Sequence, residues 1–325
     1  MNVIVGSNGA GKTSLLEAFS LVATGRLMRS GGIAGARRRG AGKLRVTAEY
    51  GDGLERIMVG YESGADGKVW ALEGQVQRSA LGILQRVPVM LMTPDAHYVA
   101  LQDPAARRAG THWTLFHVEP LFLDMWRRHQ RILRQRNAAL REGNGIYRMF
   151  DQGLAQTGES LQGFWERLYA TLGPLVTQYA QRLGLEGVGT VRVRSPWEGS
   201  TLEATLRANQ LSDERVGYTQ IGAHRLDVKF FLDEQPLQSV GSHGQQKVII
   251  SAWRLALAQA VSACGKVPTL LVDDVPAELD RTRREAFFAV LSESGAQTIA
   301  TTTDEQVGLP GQTDVFHVEQ GRFPV

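Results

Sequence analysis

A glycine-rich run near the start of the sequence has the residue types and spacing of a phosphate-binding loop. Residues 6–13 satisfy the pattern G-x-x-x-x-G-K-[ST]. The glycines allow backbone N–H groups to turn towards phosphate oxygens, while Lys12 is expected to neutralise the β- and γ-phosphates and the Thr13 hydroxyl to ligate Mg²⁺. The residues predicted to bind the nucleotide here are Gly6, Ser7, Asn8, Gly9, Ala10, Gly11, Lys12, Thr13 and Ser14.

The segments on either side of this loop are those that the motif requires. Residues 2–5 predict a short buried strand, and an amphipathic helix follows, with Leu15, Leu16, Phe19 and Val22 at helical spacing. A strand, a glycine-rich loop and a helix N-terminus together form an anion site, because the positive end of the helix dipole faces the phosphates. The sequence therefore predicts a nucleotide site.

An apolar strand near the other end of the chain supplies the acidic half of such a site. Residues 269–272 are apolar or β-branched and lead into Asp273 and Asp274. Asp273 is predicted to hold Mg²⁺, and Asp274 to orient or deprotonate an attacking water. Since these carboxylates follow Lys12 by 261 residues, a large insertion must separate the two motifs.

A third motif precedes a predicted helix that runs from about Lys247 to Ala263. Residues 241–246 read Gly-Ser-His-Gly-Gln-Gln, and alone they predict only a helix N-cap at Ser242. Placed between a phosphate loop and an acidic strand, they are typical of an ABC-type signature. In that architecture Ser242, with Gly244 and Gln245, contacts the γ-phosphate held by a second subunit, so that ATP joins a head-to-tail homodimer.

Three further positions follow from the same architecture. Residues 277–280, Ala-Glu-Leu-Asp, occupy the place of a loop at the dimer seam. Thr303, after the strand at 298–300, is the candidate γ-phosphate sensor. Gln102 is a possible metal-sensing glutamine, although its surroundings do not support the assignment.

Positive charge is concentrated in two segments, although the whole chain carries only +3. Residues 26–45 contain seven basic side chains and residues 127–141 contain six, with no acid in either segment. Such segregation is typical of a polyanion-binding surface, although an arginine-rich genome composition is a competing explanation. The residues predicted to contact DNA are Arg37, Arg38, Arg39, Arg127, Arg128, Arg131 and Arg134.

The region between the motifs predicts two long helices, over residues 119–142 and about 159–183. They are separated by Gly143-Asn144-Gly145 and would form a compact antiparallel arm. Trp126, Phe164 and Trp165 fall at core spacing, which favours packing over base stacking. The basic run offers no acid as an intrahelical partner, which favours phosphate contact for its arginines.

Composition limits the class of protein. With 325 residues, 43% hydrophobic and 21% charged, the chain has the composition of a folded globular protein. A single cysteine, Cys264, excludes a disulfide framework and a cysteine-based zinc site. Since no membrane span or signal peptide is recognised, a soluble cytoplasmic protein is predicted. The motif spacing predicts a discontinuous head, residues 1–95 and 200–325, with an arm over residues 96–199.

Taken together, these strings resemble the RecF family of bacterial recombination mediators. The nucleotide motifs are shared with every ABC-type ATPase. Two others are specific to the family, namely the Gln-Arg-Asn end of the first arm helix at residues 135–137 and the Gly-x-His-x-x-Asp string at residues 222–227. The order of the strings is collinear over essentially the whole chain.

The resemblance implies an α/β fold, an ABC-type P-loop ATPase head like those of SMC and Rad50 proteins, with a short inserted helical arm. Such proteins bind ATP with Mg²⁺, dimerise and bind DNA in response, and hydrolyse ATP slowly. They act with RecR, and through it RecO and RecA, at single-strand gaps in DNA repair, replication restart and the SOS response.

The sequence departs from the family pattern at four places. It begins at the strand before the phosphate loop, where the family has a further β-rich segment, so we expect either a misassigned start at Met1 or a truncated head. Ala223 stands where the family has Pro, and His243 where it has Arg. Residues 109–113 also differ. Lys12, Thr13, Ser242, Asp273 and Asp274 are all present.

Two other functions remain as alternatives at this point. One is the motor subunit of an ABC transporter, against which stands the long insertion with its paired helices. The other is a nucleotide-binding protein without productive turnover, which the expected loss of N-terminal strands would produce.

Overall fold

The computed structural model divides the chain into two compact units. One, called here the P-loop unit, comprises residues 1–98, 182–184 and 261–325; the other, the helical unit, comprises residues 99–181 and 185–260. The residues that the structure describes are 1–27, 32–38, 40–51, 56–143, 145–274, 281–303, 309–311, 313–319 and 321–322. Arg39, residues 277–280 and Asp304 lie outside them, as do the side chains at 34, 94–97 and 281.

The described strands, in chain order, are β1 (Asn2–Val5), β2 (Leu44–Tyr50), β3 (Ile57–Gly64), β4 (Gly67–Leu72), β5 (Gln75–Gln77), β6 (Val89–Met92), β7 (Gly189–Arg194), β8 (Asp227–Leu232), β9 (Gln235–Pro236), β10 (Thr269–Asp273), β11 (Gln297–Thr302) and β12 (Asp314–His317).

The described α-helices are α1 (Lys12–Thr24), α2 (Gly32–Ala36), α3 (Leu81–Arg86), α4 (Pro94–Gln102), α5 (Pro104–Val118), α6 (Phe122–Glu142), α7 (Asp151–Arg182), α8 (Leu202–Ala208), α9 (Gln210–Val216), α10 (Leu237–Val240), α11 (His243–Ala263) and α12 (Arg281–Glu293). Short 3-10 turns lie at Ile146–Phe150 and Ala223–Arg225. In the described part of the chain, no helix is both long enough and apolar enough to cross a membrane.

A five-stranded sheet in the order β12-β1-β11-β10-β6 forms the centre of the P-loop unit, and all of its described pairings are parallel. The β10 sequence Thr-Leu-Leu-Val is fully buried, as expected for a parallel strand that is covered on both faces. The carboxyl ends of parallel strands meet at one edge. The phosphate loop after β1, the acids at the end of β10 and the threonines at the end of β11 therefore share that edge.

A second sheet in the same unit, in the order β2-β3-β4-β5, is antiparallel. The alternating burial of β2 and β3 indicates one packed face, and that face joins α1 and the parallel sheet in a common hydrophobic core. Leu16, Leu21, Ile83 and Leu271 of this core are fully buried. Because α1 packs against both sheets, it fixes the position of the loop that precedes it.

Helices α5, α6 and α7 dominate the helical unit, which also contains the antiparallel sheet β7-β8-β9. Trp165 is fully buried and Phe164 nearly so, and the ring of Trp126 lies 4.4 Å from that of His112. The interpretation of these aromatic residues as packing is therefore confirmed. Their rings supply the apolar surface of the unit's interior.

A buried ionic network crosses the interior of the helical unit and is centred on Arg136. This side chain is fully buried and donates hydrogen bonds to Asp151 Oδ1 and Asp213 Oδ2, both at 2.7 Å, and to Thr219 Oγ1 at 2.8 Å. Thr219 also donates from its backbone and its hydroxyl to Asn137 Oδ1, at 2.8 and 2.6 Å. Arg136 and Asn137 of the Gln-Arg-Asn string thus contribute to the interior, whereas Gln135 is exposed.

The Gly-x-His-x-x-Asp string reaches the same interior from its other end. His224 Nε2 lies 3.2 Å from Thr219 O, and Asp227 receives two hydrogen bonds from buried Arg107, at 2.8 and 2.7 Å. Burial alone would raise the pKa of Asp227, but the hydrogen bonds and charge of Arg107 outweigh it and hold that pKa below its usual range. Both family-specific strings therefore contribute to packing in this unit.

Burial shifts the pKa of three histidines in the helical unit, in which His117 is also buried. Burial lowers the pKa of His112, of His129 and of His224 to about 4 in each case, because the protonated ring would lose its hydration. Arg108 adds to the effect at His112, His224 at His129, and Arg225 at His224. All three rings are neutral at physiological pH.

Several element bounds differ from those predicted. Helix α11 begins four residues earlier than predicted, and α7 begins at Asp151 rather than near residue 159. Residues 32–36 form the short helix α2. Residues 200–260 group with the helical unit, whereas the sequence-based division assigned them to the head. That division into head and arm remains a prediction.

Candidate functional site

Two glycines give the phosphate loop its close packing. A Cβ at Gly6 would lie 2.4 Å from Val318 O, so no side chain is tolerated there. Gly11 has a φ of 103°, in the left-handed region, and serves as the N-cap of α1. No side chain caps the first turn of α1, which leaves its N–H groups available to an anion. The loop at Ser7, Asn8 and Gly9 is exposed.

Lys12 lies folded against this loop. Its ammonium group donates hydrogen bonds to Gly6 O at 2.7 Å and Ser7 O at 3.0 Å, and the residue is buried. A buried ammonium needs such acceptors, because an unpaired buried charge is costly. Phosphate oxygens would offer it stronger, charge-assisted hydrogen bonds. Lys12 is therefore positioned beside the site that its motif predicts.

Asp273 accepts hydrogen bonds from hydroxyl groups on two neighbouring elements. Thr13 Oγ1, in the first turn of α1, donates to Asp273 Oδ1 at 3.1 Å, and Thr301 Oγ1, on β11, donates to the same oxygen at 2.7 Å. The structure thus brings together the phosphate-loop threonine and the acidic strand across 260 residues of sequence, as predicted.

Asp274 adopts an unusual backbone conformation next to this contact. Its φ is 52°, in the left-handed region that is unfavourable for most residues with a side chain. Its N–H donates to Thr301 Oγ1 at 3.2 Å. Asp274 Oδ1 is buried with no hydrogen-bond partner among the described residues. An orphaned carboxylate oxygen of this kind is a candidate for contact with a ligand.

The donor set at this edge fits Mg²⁺. The Thr13 hydroxyl directs its proton at Asp273 and keeps lone pairs for a cation, and Asp273 supplies a carboxylate. Oxygen atoms are what this cation prefers, and it commonly binds one or two carboxylates together with phosphates rather than an all-protein cage. Among the described residues, there is no cluster of three or more His, Cys, Asp or Glu side chains suited to a metal.

Ser242 and Gln245 form a reciprocal cap at the start of α11. Gln245 N donates to Ser242 Oγ at 3.3 Å, and Ser242 N donates to Gln245 Oε1 at 2.9 Å. This arrangement is a capping box, which satisfies two of the free N–H groups at a helix N-terminus. The N-cap interpretation of the motif is confirmed. Ser242 is exposed and Gln245 half-buried, and both belong, with Gly244, to the helical unit.

The arginines of α6 divide into two groups. Arg127, Arg128, Arg131 and Arg134 are exposed, whereas Arg136 is buried. The expectation that this helix offers no acidic partner is wrong in one respect, because Asp124 Oδ1 lies 3.9 Å from Arg127 Nη1. Within the described chain, no carboxylate lies within ion-pair distance of the other three exposed arginines. Such exposed charges are available to a polyanion.

The remaining predicted positions are less constrained. Arg37 donates to Gly42 O at 3.1 Å, and Arg38 is exposed. Thr303 is exposed beyond the end of β11, and Gln102 is exposed at the end of α4. Thr301 was missed as a site residue by sequence reasoning. Its place opposite Asp273 is set by the register between β10 and β11, for which neither segment alone carries a signal.

Comparisons with known proteins were made for the whole chain. A family model described as an AAA domain matches residues 1–79. The DNA replication and repair protein RecF of Thioalkalivibrio sulfidiphilus is 32% identical over 334 residues, covering 100% of this chain and 93% of the relative. The protein of the same name in Pseudomonas fluorescens (strain SBW25) is 31% identical over 336 residues, covering 99% and 91%.

Solved structures show the same likeness at the level of the fold. A structure of the recombination mediator protein RecF with ATP, of the RecFOR pathway, superposes with a TM-score of 0.80 at 20% identity, covering 99% of this chain and 90% of that one. An Smc head bound to the C-terminal winged-helix domain of ScpA gives 0.57 at 14% identity, covering 99% and 88%. The predicted fold class, an ABC-type P-loop ATPase head, is confirmed.

Proposed function

The chain belongs to the RecF family, and from that premise we propose that it is an ATP-dependent DNA-binding protein of recombinational repair and replication restart. The observation that carries the proposal is the contact of Thr13 with Asp273, which assembles the phosphate loop and the acidic strand into one site. Relatives over the full length of the chain are named DNA replication and repair proteins, which supports the same function.

ATP with Mg²⁺ is the proposed ligand of the P-loop unit. The loop from Gly6 to Ser14 would surround the phosphates with N–H groups, and Lys12 would exchange its carbonyl acceptors for phosphate oxygens. Thr13 and Asp273 would hold the cation, which neutralises charge on the phosphates. Asp274 would orient or deprotonate the attacking water, and hydrolysis would be slow.

ATP is also proposed to join two copies of the chain. Ser242 is exposed and Gly244 and Gln245 are half-buried at the N-terminus of α11, where the helix dipole favours an anion. In the proposed dimer they contact the γ-phosphate bound by the other copy. Because each copy donates one half of each site, the dimer would form only when nucleotide is bound.

DNA is the proposed partner of the exposed arginines. Arg127, Arg128, Arg131 and Arg134 lie within two turns of α6, and each can contact a backbone phosphate. Arg37, Arg38 and Arg39 are proposed to contribute in the same way. Arg136 is excluded from this surface because it is buried.

We propose that the chain acts with RecR and RecO, and through them in the loading of RecA at single-strand gaps. Its likeness to a protein of the RecFOR pathway supports this proposal. A cytoplasmic location fits proteins that repair the chromosome.

The central test is an electrophoretic mobility shift with gapped and duplex DNA, with and without MgATP. MgATP is expected to strengthen DNA binding at least tenfold, or about 1.4 kcal/mol. DNA affinity that is the same with and without MgATP, and the same when Arg128 and Arg131 are replaced by Ala, would overturn the proposal.

The dimer is tested separately with two substitutions that keep the helix cap. Ser242→Asn and Ser242→Asp both retain an acceptor for the Gln245 N–H, but only the second places a negative charge against a γ-phosphate. In analytical ultracentrifugation with MgATP, Ser242→Asn is expected to dimerise and Ser242→Asp to remain monomeric. Equal dimerisation of both variants would remove Ser242 from the interface.

A further inference from the structure

Thr301 occupies a central position at the carboxyl edge of the parallel sheet. It lies on β11, in register with Asp273 of β10 on one side and with Ile4 of β1 on the other. Residues in register on neighbouring parallel strands face the same side of the sheet, so its side chain is aimed towards Asp273. The residue is fully buried.

The Thr301 hydroxyl uses its proton and a lone pair at the same time. It donates to Asp273 Oδ1 at 2.7 Å and accepts the N–H of Asp274 at 3.2 Å. Two consecutive acidic residues are therefore tied to one side chain. The same oxygen of Asp273 also accepts from Thr13 at 3.1 Å, which extends the contact to the phosphate loop.

The second of these hydrogen bonds supports a strained peptide. Asp274 has a φ of 52°, and a residue with a side chain holds that conformation only when its surroundings impose it. The acceptor that Thr301 offers to the Asp274 N–H is one such constraint. Without this hydrogen bond, the backbone of Asp274, which orients its carboxylate, is held less firmly.

We propose that Thr301 is a positioning residue of the nucleotide site, which orients Asp273 for the metal ion and Asp274 for its turn. This inference rests on the proposed function, since it assumes that Mg²⁺ and ATP bind at this edge. Thr301 itself contacts neither ligand in this account. It acts through the two carboxylates, and no other described side chain hydrogen-bonds to both residues.

The test compares ATP binding with and without metal. Thr301→Val keeps the shape of the side chain and removes only the hydroxyl. In isothermal titration calorimetry of the full chain, its affinity for ATP in EDTA is expected to stay within about twofold of wild type. The factor by which Mg²⁺ strengthens ATP binding is expected to fall about tenfold, since a hydrogen bond to a charged group is lost. Thr301→Ser should restore that factor.

A matched control lies on the same strand. Thr298 is fully buried, and its hydroxyl has no hydrogen-bond partner in the part of the chain described. Thr298→Val therefore removes a buried hydroxyl from β11 without touching the acids, and it should leave both affinities unchanged. Thermal unfolding of all variants without ligand reports on folding. A second pair, Thr301→Ser against Thr301→Ala, repeats the comparison if the valine variant is unstable.

The outcomes separate this inference from the proposed function. If wild type responds to Mg²⁺ and Thr301→Val responds equally, the positioning role is wrong and the proposed function stands. A Thr301→Ser variant as defective as Thr301→Val would mean that restoring the hydroxyl does not restore the response to Mg²⁺, which also overturns the role. If wild type binds no ATP under either condition, the proposed function itself fails.

Discussion

The nucleotide edge of the P-loop unit and the interior of the helical unit are built from similar residue types but use them differently. Both contain a basic side chain, paired aspartates and threonine hydroxyls. At the edge, the loop is exposed and Asp274 Oδ1 is buried without a partner among the described residues, so the protein leaves some of these polar groups unpaired. In the interior, Arg136 is fully buried and joins Asp151, Asp213 and Thr219.

This difference separates binding from packing. A buried charge that is paired within the protein stabilises the fold, so its removal lowers the free energy of unfolding. A charge beside exposed N–H donors and an unpaired carboxylate oxygen can bind a ligand, so its removal lowers the affinity for that ligand. Arg136, Asn137 and Asp227, which belong to the strings at residues 135–137 and 222–227, lie in the first kind of environment. The structure therefore gives these residues a role in packing.

Acid is expected to produce the largest effect, and to act on the helical unit. Since the folded pKa of His112, His129 and His224 is about 4, below the usual value near 6.5, the unfolded chain binds more protons as the pH falls. Their stability contribution is complete above pH 6.5 and is lost towards pH 4. From pH 8 to pH 5 we expect about 2 kcal/mol per histidine, or about 6 kcal/mol in all.

This is measured by urea denaturation at a series of pH values. The slope of the unfolding free energy should correspond to an uptake on unfolding of about 1.5 protons at pH 6.5 and about 2.6 at pH 5, and in His129→Gln to about 1 and about 1.8. A flat profile over that range would show that these rings are not held neutral in the folded state.

Removal of Arg136 should produce the next largest effect. Arg136→Met leaves two buried carboxylates without their cation, so the free energy of unfolding should fall by about 3–5 kcal/mol. Arg134→Ala, on the exposed side of the same helix, is the control and should change it by less than about 0.5 kcal/mol. Equal effects of the two substitutions would erase the distinction between interior and surface on α6.

Removal of Lys12 should act on affinity instead. Lys12→Ala is expected to weaken MgATP binding at least a hundredfold, or about 2.7 kcal/mol, because phosphate loses a charge-assisted partner. Its stability should fall by no more than about 1–2 kcal/mol, as two hydrogen bonds to carbonyls are lost. Lys68→Ala, an exposed lysine on β4, controls for net charge. Calorimetry measures the affinity and urea denaturation the stability of the same samples. A loss of stability without a loss of MgATP affinity would contradict the assignment of Lys12 to ligand binding.

Single substitutions of the exposed α6 arginines should have the smallest effects. Arg128→Ala, Arg131→Ala or Arg134→Ala should each weaken DNA binding about equally for all sequences, and each should reduce the slope of log affinity against log salt by about 1. Arg207→Ala is the control, because that exposed arginine already pairs with Glu203. A salt slope unchanged by all three would place DNA elsewhere on the chain.

The nucleotide site was largely predictable because its motifs are local. In each motif, a strand and the functional residues that follow it are consecutive in the sequence. The motif and its flanking residues therefore predict the same local structure. Thr301 was not predicted, since its role depends on the register between β10 and β11, which no single segment contains. Thr303 was chosen instead, and its role as a sensor stays a prediction.

The interior of the helical unit was predictable only in part. Arg136 was counted with the basic run, yet it follows Arg127 by nine residues, which is about 180° around a helix, so helical geometry alone places it on the opposite face. Its partners Asp151 and Asp213 lie 15 and 77 residues away, and no local pattern connects them. Burial and long-range pairing decide its role.

The coupling between ATP and DNA is the most direct test of the account. If ATP strengthens DNA binding, DNA must strengthen ATP binding by the same factor, because coupling free energies are reciprocal. The measurement is the affinity of the full chain for MgATP with and without saturating gapped DNA. The account predicts at least a tenfold gain with DNA, and Lys12→Ala should show none. An ATP affinity that is unchanged by DNA would contradict it.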